Sequence, residues 1–153
     1  MRKLAIYVDA SVIGGCADDE FREPSNALWQ HFVSGRFQLV LSAHTIRELK
    51  GAPETVRNVL LQVPADNQIV LADTRDALEL ADAYVVRGVV GPGSYADALH
   101  VALATTGRVD VLVSWNFKHI VNLGRIRLFN SVNIEKGYNT IEIRTPLEVL
   151  DYE

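Results

Sequence analysis

The stretch Leu4-Ala5-Ile6-Tyr7-Val8 is an unbroken apolar run that ends abruptly at Asp9. A short strand that is apolar at every position is typical of a parallel sheet covered on both faces by helices. Residues 37–41 and 68–71 are predicted as further strands, and residues 110–114 as a fourth strand with a continuous apolar run. The sequence therefore predicts a mainly parallel sheet.

Helical patterns separate these strands. Apolar residues recur at every third or fourth position between capping and helix-stopping residues, which predicts helices over residues 25–35, 42–49, 54–63, 73–87 and 94–107. The polar residues 14–24 are predicted to form a loop. Nearer the end of the chain we expect a short helix over residues 116–122 and weaker strands over 126–129 and 141–143, separated by the Asn- and Gly-rich residues 130–140. Strands that alternate with helices predict an α/β domain with helices on both faces of the sheet.

The composition is typical of one domain spanning residues 1–153, because 48% of the residues are apolar and can fill a full-sized core. The sequence lacks an apolar run of about 18 residues and a signal-peptide pattern, so we expect no membrane association and a cytoplasmic location. Cys16 is the only cysteine, which excludes an internal disulfide and a cysteine-rich zinc site. The net charge of −4 argues against a protein that coats nucleic acid by phosphate neutralisation alone.

Three acids occupy positions where a parallel sheet places its ligands, outside the carboxyl ends of the strands. Asp9 directly follows the first strand, Glu48 lies in the helical segment after the second, and Asp97 lies in the first turn of an otherwise apolar helix. Taken singly, each has an ordinary explanation: a capping role for the two aspartates and an exposed helix face for Glu48. Brought to one edge of the sheet, they supply the oxygen ligands that Mg²⁺ or Mn²⁺ prefers.

Such an ion is suited to phosphodiester hydrolysis, because it activates water and stabilises charge on the phosphoryl oxygens. Ser11, Ser114 and Asn116 are the neutral polar residues predicted at the same edge. We expect the two serines to hold ligands or water in place, and Asn116 to take part in catalysis by contacting the ion indirectly.

Four segments together resemble the PIN-domain family in their order and spacing, over nearly the whole chain. They are Ile6-Tyr7-Val8-Asp9-Ala10-Ser11-Val12, Ile46-Arg47-Glu48-Leu49, Ser94-Tyr95-Ala96-Asp97-Ala98-Leu99-His100-Val101-Ala102-Leu103-Ala104 and Asp110-Val111-Leu112-Val113-Ser114-Trp115-Asn116-Phe117-Lys118-His119. The resemblance implies a three-layer α/β/α fold with a sheet of about five strands, an acidic pocket for Mg²⁺ or Mn²⁺, and endoribonuclease activity on RNA. It also implies a toxin that is neutralised by a small protein antitoxin, and a possible homodimer.

One position departs from the family pattern. Many members carry a fourth carboxylate near the end of strand four, where this sequence has Asn116. Because a neutral amide holds a cation less tightly, the sequence leaves open a weak or inactive domain that binds RNA or a protein partner without cleavage. The four histidines show no common metal-ligand spacing, and we expect His100 to be a packing residue; the four are His31, His44, His100 and His119.

Overall fold

The computed structural model describes residues 2–152, which form a five-stranded sheet in the order β3-β2-β1-β4-β5. Every neighbouring pair of strands is parallel. The strands are β1 (Leu4–Val8), β2 (Phe37–Ser42), β3 (Gln68–Leu71), β4 (Val111–Val113) and β5 (Glu142–Arg144). The predicted parallel sheet is therefore confirmed, with β1 at its centre.

Eight α-helices surround the sheet in the described part of the chain. They are α1 (Ala10–Gly15), α2 (Arg22–Val33), α3 (Ala43–Leu49), α4 (Glu54–Arg57), α5 (Arg75–Val86), α6 (Tyr95–Thr106), α7 (Leu123–Glu135) and α8 (Pro146–Leu150). Short 3-10 turns occupy Asn58–Gln62, Ala65–Asn67 and Pro92–Ser94.

The central strand is buried on both faces, as its continuous apolar sequence predicts. Ile6 and Val8 pack into a core cluster with side chains of α1, α2, α3, α4 and α8, whereas Tyr7 between them packs into a second cluster with α5, α6 and α7. Successive side chains of a strand point to opposite faces, so one strand contributes to both cores. The result is the predicted three-layer α/β/α architecture.

Three local predictions were wrong. Helix α2 begins at Arg22, inside the predicted loop. Residues 116–122 form turns instead of a short helix, and residues 126–129, predicted as a strand, lie within α7. Four apolar-rich residues do not separate strand from helix by periodicity, and the informative signal was Asn122, whose side chain caps α7 by accepting the Arg125 N–H.

The strand order places Asp9 at the switch point of the sheet. The chain leaves β1 toward β2 on one side of the sheet, and leaves β4 toward β5 on the other side. Between two neighbouring strands whose connections diverge in this way, the carboxyl ends open into a cleft where α/β proteins bind their ligands. Asp9 follows β1 and Ser114 follows β4, so both lie at this switch point.

Within residues 2–152, no helix combines the length and the apolar character needed to cross a membrane.

Candidate metal centre

Asp9 is held by side chains and not by the helix that it precedes. It occupies the N-cap position of α1, yet its side chain makes no capping hydrogen bond. Instead, Ser11 Oγ donates to Asp9 Oδ1 and Ser114 Oγ donates to Asp9 Oδ2, both at 2.6 Å. The residue is only 4% exposed. Two hydroxyl hydrogen bonds fix the direction of this buried carboxylate, so the simple capping role is not the one observed.

The turn after β4 supports the same carboxylate. The Ser114 hydroxyl that donates to Asp9 also accepts the backbone N–H of Asn116 at 2.9 Å. Ser11 Oγ in turn accepts the backbone N–H of Trp115 at 2.9 Å. The two serines thus join the ends of β1 and β4 through Asp9.

Asn116 has a structural partner. Its side-chain Oδ1 accepts the backbone N–H of His119 at 2.9 Å, and its backbone oxygen accepts from Ile120 and Val121. The amide oxygen that the sequence suggested as an indirect ligand therefore closes the turn after β4. The residue remains half-buried beside Ser114, at the predicted edge.

Glu48 is anchored to α6 by a histidine. His100 Nε2 donates to Glu48 Oε1 at 2.6 Å, and His100 Nδ1 lies 2.7 Å from the hydroxyl of Tyr7. Burial alone would raise the pKa of Glu48, but the hydrogen bond and charge of His100, with the charge of His44, outweigh it and lower the pKa below its ordinary value. Glu48 is consequently an ionised ligand candidate and not a freely solvated side chain.

Burial disfavours the charge of Asp97. It lies in the first turn of α6, and its pKa is raised, chiefly by burial. His119 and His100 oppose the shift, whereas the negative charges of Asp9 and Glu48 add to it. The charges of Asp9 and Glu48, which belong to separate elements, therefore both act on the Asp97 carboxyl group. A divalent cation would relieve this repulsion, and carboxylate oxygens are the ligands that a hard cation prefers. The ligand atoms of the three acids do not, however, all lie within 4.8 Å of one another.

The structure also assembles a group that sequence spacing did not reveal. His44, Glu48 and His100 each offer a ligand atom, and these atoms lie within 4.8 Å of one another. In the described part of the chain, this is the one set of three or more His, Cys, Asp or Glu residues with that spacing, and it excludes Asp9 and Asp97. The available signal was the four-residue interval from His44 to Glu48, which places both on one face of a helix.

Comparisons with known proteins bear on the fold. No family model matches the sequence, and no curated protein sequence matches it. Among solved structures, the chain is similar to VapC20 of Mycobacterium tuberculosis, described as a sarcin-ricin loop cleaving toxin, with a TM-score of 0.57 and 20% identity over 74% of this chain and 92% of that chain. FitAcB of Neisseria gonorrhoeae gives a TM-score of 0.57 at 16% identity, over 93% of this chain and 98% of that chain. VapBC2 of Rickettsia felis, bound to a DNA fragment from its promoter, gives 0.58 at 9% identity over the same shares, 93% and 98%. With these neighbours and the sheet order described above, the chain has the PIN-domain fold.

Proposed function

We propose that the protein is a metal-dependent endoribonuclease in which Asp9, Glu48 and Asp97 hold Mg²⁺ or Mn²⁺. The observation that carries this proposal is the buried Asp9 carboxylate at the switch point of the sheet, held by the hydroxyls of Ser11 and Ser114 at 2.6 Å. The raised pKa of Asp97, caused chiefly by burial and increased by the charges of Asp9 and Glu48, supports it. A bound cation would offset the burial and the like charges that disfavour the ionised form of Asp97. The likeness to a toxin that cleaves the sarcin-ricin loop supports RNA as the substrate class.

Each side chain has a distinct part in this proposal. When bound, the ion supplies an activated water and neutralises charge on the phosphodiester. Asp9 is fixed in direction by hydrogen bonds from Ser11 and Ser114. Glu48 is kept ionised by His100. Asp97 gains most from a cation, because its own surroundings favour the protonated form. Asn116 shapes the turn that carries Ser114.

We further propose that the protein is the toxin of a toxin–antitoxin pair, acting in the cytoplasm. The neighbour VapC20 is described as a toxin, which supports this assignment. A small protein antitoxin would be the inhibitory partner, and the active chain would be a homodimer. Co-purification with the product of the adjacent reading frame, and light scattering of the isolated chain, test the two parts separately.

The enzymatic proposal is tested with labelled RNA and protein freed from any antitoxin. We expect cleavage with Mn²⁺ or Mg²⁺, none in EDTA, and none by Asp97→Asn in a folded state. Asp76→Asn is the matched control, because Asp76 lies in the first turn of α5 as Asp97 lies in that of α6. Absence of cleavage by the wild type with every metal tested would end the enzymatic proposal.

One observation favours a second function, a domain that binds RNA or a protein partner without cleaving. Asn116 replaces a carboxylate of the family pattern, and its Oδ1 is occupied by the His119 N–H. In this alternative, Asp9→Ala and Asp97→Asn leave RNA or partner binding nearly unchanged. Large losses of binding by both variants in EDTA would contradict it.

A further inference from the structure

We propose that His44, Glu48 and His100 form a separate Zn²⁺ site, which shares Glu48 with the Mg²⁺ or Mn²⁺ site and withdraws this side chain from it when zinc binds. The existence of the zinc site does not depend on the proposed nuclease activity. Its inhibitory effect does rest on the proposed function, so the two parts are tested by different measurements.

The ligand set is the first argument. One atom from each of the three side chains lies within 4.8 Å of the others. Two imidazole nitrogens and one carboxylate oxygen are a common zinc ligand set, which leaves a fourth position for water. Mg²⁺ prefers oxygen ligands, so this group discriminates between the two ions.

Packing already orients the two imidazoles. His44 and Glu48 lie four residues apart on α3, and His100 lies opposite on α6. The ring centroids of His44 and His100 are 4.3 Å apart, and His100 is only 2% exposed. His100 Nε2 is 2.6 Å from Glu48 Oε1, and His44 Nε2 is 3.8 Å from Glu48 Oε2. A zinc ion would take the place of the proton between His100 and Glu48, and His44 would exchange its hydrogen bond to the Ala96 carbonyl for the ion.

A buried hydrogen-bond chain supports the far side of His100. Its Nδ1 lies 2.7 Å from the Tyr7 hydroxyl, which lies 2.7 Å from Ser42 Oγ. Zinc-bound histidines ordinarily use their second ring nitrogen in such a bond, which fixes the tautomer and the ring direction. A hydroxyl both donates and accepts, so Tyr7 serves His100 with or without the ion.

The site adjoins the three acids through shared elements. Glu48 belongs to both groups, and His100 lies one helical turn after Asp97. A zinc ion held by the two histidines would therefore occupy the Glu48 carboxylate that the nuclease centre needs. This makes zinc an inhibitor of cleavage, and not a substitute for Mn²⁺.

Binding is measured by titrating ZnCl₂ against the RNA-free protein in competition with a chromophoric chelator. We expect one zinc ion per chain. His44→Gln should lower the zinc affinity by more than about 100-fold. Tyr7→Phe acts only through its hydrogen bond to His100 and should lower the affinity by about 10- to 100-fold. His31→Gln, in α2 and outside the group, is the matched control and should bind as the wild type does. Circular dichroism checks that each variant is folded; if His44→Gln is not, Glu48→Gln on the accessible face serves the same purpose.

X-ray absorption of the zinc-loaded protein should show two imidazole ligands. A wild type that binds Zn²⁺ no more tightly than Mg²⁺, or a folded His44→Gln that binds like the wild type, would overturn the proposed site. In the second arm, ZnCl₂ is added to Mn²⁺-dependent cleavage, and inhibition is expected at the zinc concentration that fills the site. If zinc fills the site without inhibiting cleavage, the proposed sharing of Glu48 is overturned. If the wild type never cleaves RNA, the result counts against the proposed nuclease activity and leaves the zinc-binding result unaffected.

Discussion

Ser114 links β1 to β4 by hydrogen bonds, and its substitution measures how much this link stabilises the fold. The side chain is fully buried, donates to the Asp9 carboxylate at 2.6 Å and accepts the Asn116 N–H at 2.9 Å. Ser114→Ala removes a hydrogen bond to a charged group, which contributes about 1.5–3 kcal/mol, and leaves a half-buried N–H without this acceptor, at a cost of about 1 kcal/mol. We therefore expect a loss of about 3 kcal/mol in the free energy of unfolding. For a chain of this length, this corresponds to a decrease in Tm of about 6–12 °C.

The measurement is urea unfolding in EDTA, followed by tryptophan fluorescence, because Trp29 and Trp115 are both buried. The midpoint should fall while the slope with urea stays constant. Ser34→Ala is the control: Ser34 is exposed at the end of α2 and donates only to the His31 carbonyl at 3.3 Å, so its loss should change stability by less than about 0.5 kcal/mol.

A double-mutant cycle with Asp9→Asn then isolates the charged bond. Once the charge on residue 9 is removed, Ser114→Ala should cost at least about 1 kcal/mol less than in the wild type. A Ser114→Ala protein as stable as Ser34→Ala, or a cost that is the same with and without the Asp9 charge, would refute the reasoning.

The remaining predictions concern a tight helix contact, an uncompensated charge and a buried thiol. A Cβ at Gly15 would lie 2.5 Å from Ser25 Oγ, so Gly15→Ala should destabilise the fold by about 1–3 kcal/mol. Gly14 has open space around it, so Gly14→Ala should instead stabilise α1 by about 0.5–1 kcal/mol. Thermal melts of the two variants test this contrast. Folding raises the pKa of Asp97, so its ionised form destabilises the folded protein above that pKa. In EDTA at pH 7, Asp97→Asn should therefore raise Tm. At a pH low enough to protonate Asp97 in the wild type, the substitution should not raise Tm. Burial raises the pKa of Cys16 to about 11, so a thiol reagent at pH 8 should label it only after unfolding; rapid labelling of the native protein would contradict this.

The fold was predictable where a local sequence pattern also determined the position of its strand in the sheet. The run from Leu4 to Val8 is apolar at every position, as expected of a strand that is covered on both faces. Because Asp9 follows this strand directly, it lies at the edge of the sheet where ligands bind. Helix α7 was harder to predict, since Phe129 and Val132 are buried but Leu123, Leu128 and Ile134 are exposed. Its apolar residues do not gather on one face, so periodicity gave no clear helical signal.

The histidine group was missed for a different reason. His44 and His100 are 56 positions apart in the sequence, and they meet only because α3 and α6 pack at the same edge of the sheet. Ligand-spacing rules detect pairs of metal ligands within one helix or loop. Here the pair within one helix is a histidine and a glutamate, and the second histidine lies on another helix. Similarly, the sequence predicts Asn116 as an indirect ligand within a short helix, whereas its amide oxygen accepts the His119 N–H in a turn whose shape the local sequence does not reveal.

The three acids differ in how the protein compensates their charges, and this difference assigns them unequal roles. Asp9 receives two hydroxyl hydrogen bonds and Glu48 receives one from His100, so both are set in place before any ion arrives. Asp97 instead has a raised pKa, because burial and its two acidic neighbours disfavour its charge. In the proposed metal site, a cation would exchange water for two ligands that are already held in place, and would relieve the repulsion at Asp97. The free energy of metal binding should therefore depend on Asp9 and Glu48 for geometry, and on Asp97 for the electrostatic strain that binding removes.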